Sequence, residues 1–344
     1  MKIGIITFHW ATNYGAVLQA YALEKYLITK GHIVEIIDYK PRRNVLLQRL
    51  TWIKNGSWRN FKKERKINLF RKKNLILSKR TYSSNKSLRR ITDEYDAVIC
   101  GSDQVWNMSF IQYAEKGKET YSYYLDFLPA SVKKIAYAAS FGCNEIKKEY
   151  ESNVQEYLHD FKIISVREKT AEQILRKLGI KAKVVIDPTL LLSRKEYDSF
   201  VASSNQSDKV FIYKLHKNQK TFEKIEDFLQ KRFSCEYTTN KMGIGDWLHA
   251  IKTSKMLLTN SFHGVVFSIL FEVPFISVMV EGSDMNDRIT TLLENLGLEK
   301  RCVSEYKKET IDEICKSEIN WDEVYEKLEI LKQEAIKVLS TIDE

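Results

Sequence analysis

The stretch Lys255–Leu270 constrains the fold of this chain more than any other. Lys255-Met256-Leu257-Leu258 has the length and apolar content of a buried strand, and Val265-Val266-Phe267-Ser268-Ile269-Leu270 continues as a buried helix. Between them lies the polar hexapeptide Thr259-Asn260-Ser261-Phe262-His263-Gly264. A strand that hands over to a helix through so short a turn belongs to a layered α/β fold. The first amides of such a helix lack intrahelical partners and carry the positive end of its dipole, which suits phosphate or carboxylate. Ser261 stands where a helix cap is needed, and Gly264 would let an anion approach the backbone. His263 adds a side chain whose proton is mobile near neutrality. A packed histidine beside an ordinary cap is the plainer reading of the same residues.

The same alternation opens the chain. Residues 2–8 read as a buried strand, Thr12-Asn13-Tyr14-Gly15 as a turn, and Ala16–Thr29 as a helix stopped by Lys30-Gly31. Ile33–Asp38 is a second strand, giving the β-turn-α-β start of a doubly wound domain. No GxGxxG pattern occurs, so a dinucleotide is not indicated. Strands are predicted at Asp96–Cys100, Lys134–Ala138, Ile163–Val166 and Val184–Ile186, with helices at Glu145–His159 and Thr170–Leu178. After the polar linker Ser203–Asp208 the pattern restarts. A strand is predicted at Val210–Leu215, a helix at Gln219–Arg232, and a short helix at Gly245–Ile251. The opening stretch follows, then a strand at Phe275–Val278 and a helix at Asn286–Leu296. Trp321–Ser340 is a long amphipathic helix. The economical architecture is two Rossmann-like αβα domains around one cleft, spanning 1–190 and 203–318, with a C-terminal helix in 319–344.

Length and composition agree: 344 residues suit two domains, and 44% hydrophobic residues suffice for folded cores. The five cysteines, Cys100, Cys143, Cys235, Cys302 and Cys315, form no CxxC pair and read as buried thiols of a cytoplasmic protein. The N-terminus enters a strand without the apolar region of a signal peptide, and no run of 18 apolar residues occurs. The net charge of +10 is uneven. Residues 40–90 hold 18 Lys and Arg against the single acid Glu64, a net +17, so the rest of the chain carries −7. This basic segment, with Trp52, Trp58, Phe61, Leu69 and Phe70, reads as helices inserted between two strands of the first domain. Charge with interleaved aromatics suits an anionic membrane surface. Nucleic acid is not indicated, because no zinc finger or RNP motif accompanies the charge.

Polar turns recur at strand ends: Asn13-Tyr14-Gly15, Gly101-Ser102-Asp103-Gln104, Ser140-Phe141-Gly142, Arg167-Glu168 and Ser261-Phe262-His263-Gly264. Each alone is ordinary turn chemistry. Their joint placement at carboxyl ends of strands points to a ligand site.

The pieces GIITFHWATNYGAVLQAYAL, DAVICGSDQVWN, KKIAYAASFG, ISVREKTAEQIL, VVIDPTLLL and TNSFHGVVFSILFEVPFISV, in this order from residue 3 to about residue 298, resemble the polysaccharide pyruvyl transferase family. The resemblance implies a fold like the GT-B glycosyltransferases. It also implies transfer of a pyruvyl group from phosphoenolpyruvate to a pair of sugar hydroxyls, giving a ketal on a surface polysaccharide or its lipid-linked precursor. Arg167 matches the family arginine that holds phosphoenolpyruvate, and His263 the histidine of the second domain, with Phe262 in the apolar position before it. Many members have an arginine two or three residues before that histidine. Here Asn260-Ser261 stand there, and Arg288 is the candidate substitute.

The residues support that chemistry independently. Arg167 offers a planar fork for one anionic group of phosphoenolpyruvate, and the amides of Ser261–Gly264 suit the other. Protonation of the methylene carbon needs an acid, a role open to His263. Asp103 is the candidate to take the hydroxyl proton, with turn capping as its plainer role. His216 follows the Val210 strand on the donor side. His9, Asn13, Tyr14, Gly15, Gln104, Trp106, Ser140 and Phe141 are the candidates for the acceptor side. No metal or other cofactor is demanded, since the six histidines form neither HxxxH nor HExxH. The competing reading is a GT-B glycosyltransferase using a nucleotide sugar, for which Glu281 and Asp284 are the available carboxylates.

Overall fold

The computed structural model describes the chain except residues 42–44, 48–49, 51–52, 55–58, 92–93, 114–118, 204, 218 and 240. Trp52, Trp58 and part of the 203–208 linker therefore lie outside the described residues. The chain divides into two compact units, Met1–Leu191 with Lys332–Glu344, and Leu192–Leu331.

The first unit is built on seven strands: β1 (Lys2–Ile6), β2 (Ile33–Tyr39), β3 (Leu77–Tyr82), β4 (Ala97–Cys100), β5 (Lys133–Ala139), β6 (Phe161–Val166) and β7 (Lys183–Val184). Their order is β3-β2-β1-β4-β5-β6-β7, and every neighbouring pair is parallel. Strands buried on both faces must be apolar throughout. Accordingly Ile3, Ile5 and Ile6 of β1 and all four residues of β4 have no exposed surface. Burying each isoleucine or valine among them stabilises the fold by about 1.5–3 kcal/mol. The helix Tyr14–Thr29 follows β1. Asn13 caps it by accepting a hydrogen bond from the Gly15 amide at 2.9 Å, and Gly31 at φ +89° turns the chain away after its end.

The basic segment contains the helix Arg59–Asn74 and also β3, a strand that the sequence reading leaves out. β3 lies at the sheet edge, where Lys79 and Arg80 are exposed and discourage further strand pairing. Its charges hide the apolar alternation that marks a strand.

The second unit has five strands: β8 (Val210–Tyr213), β9 (Cys235–Tyr237), β10 (Met256–Thr259), β11 (Phe275–Val278) and β12 (Cys302–Val303). The order β12-β11-β10-β8-β9 is again parallel throughout. The chain leaves the sheet centre in opposite directions after β8 and after β10, and in the first unit after β1 and after β4. Such reversal points open a crevice beyond the carboxyl ends of the two strands, where ligands of open α/β sheets bind. The hexapeptide follows β10 directly.

Candidate functional site

In the second unit the turn after β10 leads into the helix Phe262–Phe271, all of whose residues are buried. A helix apolar on every side suits a core position. Its polar entry is tightly held. Ser261 caps it by accepting from the Gly264 amide, and Thr259 Oγ1 accepts from the Ser261 amide while donating to the Tyr213 carbonyl. A Cβ on Gly264 would stand 2.7 Å from Thr259 Oγ1. The glycine is therefore required by the approach of helix to strand, whatever its amide binds.

Asn260 joins this turn to the one after β8. Its Oδ1 accepts from the amides of Leu215 and His216 at 2.8 and 3.2 Å, and its Nδ2 donates to the His216 carbonyl at 2.8 Å. Sequence reading gave this asparagine no role beyond displacing the family arginine. Substituting Asn260 by alanine is expected to lower stability by about 1–3 kcal/mol, the cost of leaving such groups unpaired. Faster hydrogen exchange at Leu215 and His216 would locate the loss; unchanged exchange there would show that the loop holds itself.

His263 is 6% exposed at the first turn of this helix, with the Phe262 ring edge-on at 5.2 Å. The Arg288 guanidinium lies 5.9 Å from the centroid of Phe262, within cation–π range, and its Nε donates to the Met285 carbonyl. Burial first, then the positive charge of Arg288, lower the pKa of His216. That coupling brings His216, Arg288, Phe262 and His263 to one end of one sheet, although the helix carrying Arg288 is remote from the motif in sequence. Asn286 holds the loop before that helix, accepting from the Val280 amide and donating to the Val280 and Ser283 carbonyls.

In the first unit Arg167 ends β6 at 3% exposure. Its Nη1 donates to Asp187 Oδ2 at 2.8 Å, and its Nη2 lies 3.5 Å from Asp103 Oδ1. Burial disfavours the guanidinium charge, but Asp187, Asp103 and Glu168 outweigh it and raise the pKa. Much of the fork assigned to phosphoenolpyruvate is thus engaged within the unit. Asp187, to which the sequence reading gives no role, is the hub. It also accepts from Ser102 Oγ, the Thr189 amide and Thr189 Oγ1. Asp103 is the more exposed carboxylate of the group. It adopts φ +85°, an uncommon conformation for a residue with a Cβ, and Ala138 beside it on β5 adopts φ +51°. Such strain persists only where surrounding structure enforces it, and it gathers at functional sites.

The remaining candidates divide. Trp106 and Phe141 have no exposed surface and pack together at 5.2 Å in the core, with Trp106 Nε1 bonded to the Tyr123 carbonyl. Neither presents a surface to an acceptor. Ser140 is fully buried beside them. Gln104 is half-buried, its amide against Gly142. His9 is also fully buried, Nδ1 at 3.2 Å from the Thr7 carbonyl and Nε2 at 2.8 Å from Asp38. It braces β1 against β2 instead of facing an acceptor. Burial lowers its pKa against the raising effect of Asp38. Asn13, Tyr14 and Gly15 form the turn and first residues of the helix after β1.

The fold resembles that of several solved structures. UDP-N-acetylglucosamine 2-epimerase from Rickettsia bellii is 10% identical, with 99% of this chain and 96% of that one covered and a TM-score of 0.51. The MnaA protein of S. aureus, solved with UDP, is 12% identical, with 95% and 90% covered and a TM-score of 0.51. At such identity the likeness shows the fold alone, the two-domain α/β arrangement of the GT-B type. No curated protein sequence matches this one. The family model described as polysaccharide pyruvyl transferase matches residues 13–282, which takes in the five polar turns and most of both sheets, and the chain belongs to that family.

Proposed function

We propose that the protein transfers a pyruvyl group from phosphoenolpyruvate to two hydroxyls of a glycan, forming a ketal and releasing phosphate. The observation that carries this reading is the capped helix entrance Ser261–Gly264, which gathers His263, Phe262, Arg288 and His216 at a reversal point of the second sheet. Amides and a guanidinium suit a small polyanion carrying phosphate and carboxylate. In the proposed reaction His263 delivers a proton to the methylene carbon. One sugar hydroxyl adds to the central carbon, and its proton passes to the phosphate. The carbon–oxygen bond to phosphate breaks, the second hydroxyl closes the ketal, and its proton returns to the histidine.

Incubation with phosphoenolpyruvate and candidate glycans, read as phosphate release and as a new ketal methyl signal by NMR, tests the proposal. Nucleotide sugars belong in the same binding screen. Binding of a nucleotide sugar without binding of phosphoenolpyruvate would move the protein to the glycosyltransferase reading.

Arg288→Gln is expected to weaken phosphoenolpyruvate binding by about tenfold or more, the loss of one charge-assisted contact. It should also raise the His216 pKa, because one cause that lowers it is removed. An NMR titration that leaves His216 unmoved would place Arg288 elsewhere.

The acceptor is proposed to be lipid-linked, with the segment 40–90 resting on an anionic membrane. Leu46, Leu47, Leu50, Ile53 and Leu69 are exposed there, as are Lys62, Arg65 and Lys66. Apolar insertion with charge attraction is the usual basis of peripheral attachment. Among the described residues no helix is long and apolar enough to cross a membrane. Co-sedimentation with anionic but not neutral vesicles, weakening as salt rises, is expected. Indifference to anionic vesicles at low salt would remove the membrane from this account.

A further inference from the structure

Not all the charge of the basic segment faces outward. On the helix Arg59–Asn74, Lys63, Ile67 and Arg71 recur every four residues and so share one face. Ile67 is fully buried. The face packs on the turn after β1 and the helix that follows it. Arg71, 4% exposed, donates through Nη2 to the Ala11 carbonyl and through Nη1 to Asn68, and Phe70 lies 6.3 Å from the Tyr21 ring. The Lys63 ammonium lies 4.0 Å from the centroid of the Tyr14 ring.

Two buried donors around this turn have no acceptor among the described residues, the Nε of Arg71 and the Oγ1 of Thr12. The half-buried Lys63 reaches the same turn, its ammonium over the Tyr14 ring. The tyrosine face offsets part of the cost of desolvating Lys63 but accepts no hydrogen bond. Each buried donor left unpaired costs about 1–3 kcal/mol, so a native cluster of them calls for an explanation. The turn also sits at the reversal point of the first sheet, at the start of a 16-residue helix whose dipole favours negative charge.

We propose that Lys63, Arg71 and Thr12, with the turn Ala11–Tyr14, form a phosphate-binding subsite that anchors a phosphate or diphosphate carried by the acceptor glycan. The assignment to the acceptor rests on the functional reading above, which places the donor at the second unit's turn. The subsite itself does not depend on that reading. Burial holds the pKa of Lys63 down at about 8, and a bound phosphate would raise it.

Calorimetric titration of the full chain with inorganic pyrophosphate tests the subsite without requiring turnover. Wild type should bind. Lys63→Met, which keeps the apolar stem, and Thr12→Val should each bind at least tenfold more weakly while unfolding at the wild-type temperature. Absence of binding to wild type, or equal binding by both folded variants, overturns the subsite. If Lys63→Met weakens phosphoenolpyruvate binding as much as pyrophosphate binding, the cations serve the donor and the acceptor assignment falls.

A third arm separates phosphate from lipid. Wild type should show at least a tenfold lower KM for a glycosyl diphosphate without lipid than for the free glycan, and Lys63→Met should erase that preference. A preference seen only when the diphosphate carries a lipid would overturn the proposal. If pyruvyl transfer fails on every glycan while pyrophosphate binding still depends on Lys63, the subsite stands and the reaction does not.

Discussion

His263→Ala is expected to lower transfer by about a hundred- to ten-thousand-fold, the usual effect of removing a general acid, in a protein that still folds. The expectation of an intact fold has a structural basis. Alanine is the best helix former, so the first turn of Phe262–Phe271 loses nothing in propensity. The cap between Ser261 and Gly264 and the bonds of Thr259 do not involve the imidazole. The Asn260 clamp on the preceding loop is likewise independent of it. The loss should therefore fall on the chemical step. Single-turnover phosphate release should slow by nearly the full factor while phosphoenolpyruvate affinity changes little. Near-normal turnover in the folded variant would return His263 to a packing role. A collapse of donor affinity with an unchanged chemical step would make it a binding residue.

The second large effect concerns Asp187 and is on stability. Asp187→Ala is expected to cost about 3–5 kcal/mol, because it leaves the Arg167 guanidinium as a buried charge without its nearest carboxylate. Ser102 and Thr189 lose their acceptor in the same step. In a unit of this size that loss should lower the midpoint of thermal unfolding by roughly 6–20 °C. Arg167→Lys is expected to fall in the same direction, since a lysine cannot reproduce the fork. Urea unfolding of both variants checks this. Stability within about 1 kcal/mol of wild type would mean that the pair is not structural and that Arg167 is available to phosphoenolpyruvate.

What the sequence discloses depends on burial. The central strands β1, β4, β8 and β10 are apolar runs because both faces are covered, and each is legible. The edge strands β3, β9 and β12 are not. Cys235-Glu236-Tyr237 and Cys302-Val303 are too short to show a period, and Lys79-Arg80 interrupt the third. The turns after β4 and β10 were readable from their place at strand ends. The roles of single residues within them were not. Trp106, Phe141 and His9 look like site residues because they adjoin polar turns, yet those turns fold their side chains into the core. Asp187 and Arg71 escaped notice for the opposite reason. An acid before a proline and an arginine among many are unremarkable until the fold sets them against Arg167 and Ala11.

The division of the chain has a consequence for its synthesis. Residues 332–344 belong to the first unit, where Val338, Leu339 and Ile342 are buried and the Ile342 carbonyl accepts from Lys133 Nζ. The second unit, Leu192–Leu331, is thus a guest within the sequence of its host. Domains fold in the order in which they emerge, at roughly 5–20 residues per second, but here the first to begin is the last to be complete. Its surface beside Lys133 must wait on the order of ten seconds while the guest is made. A chain stopped at Leu331 would therefore contain a finished second unit and a first unit still missing part of its core.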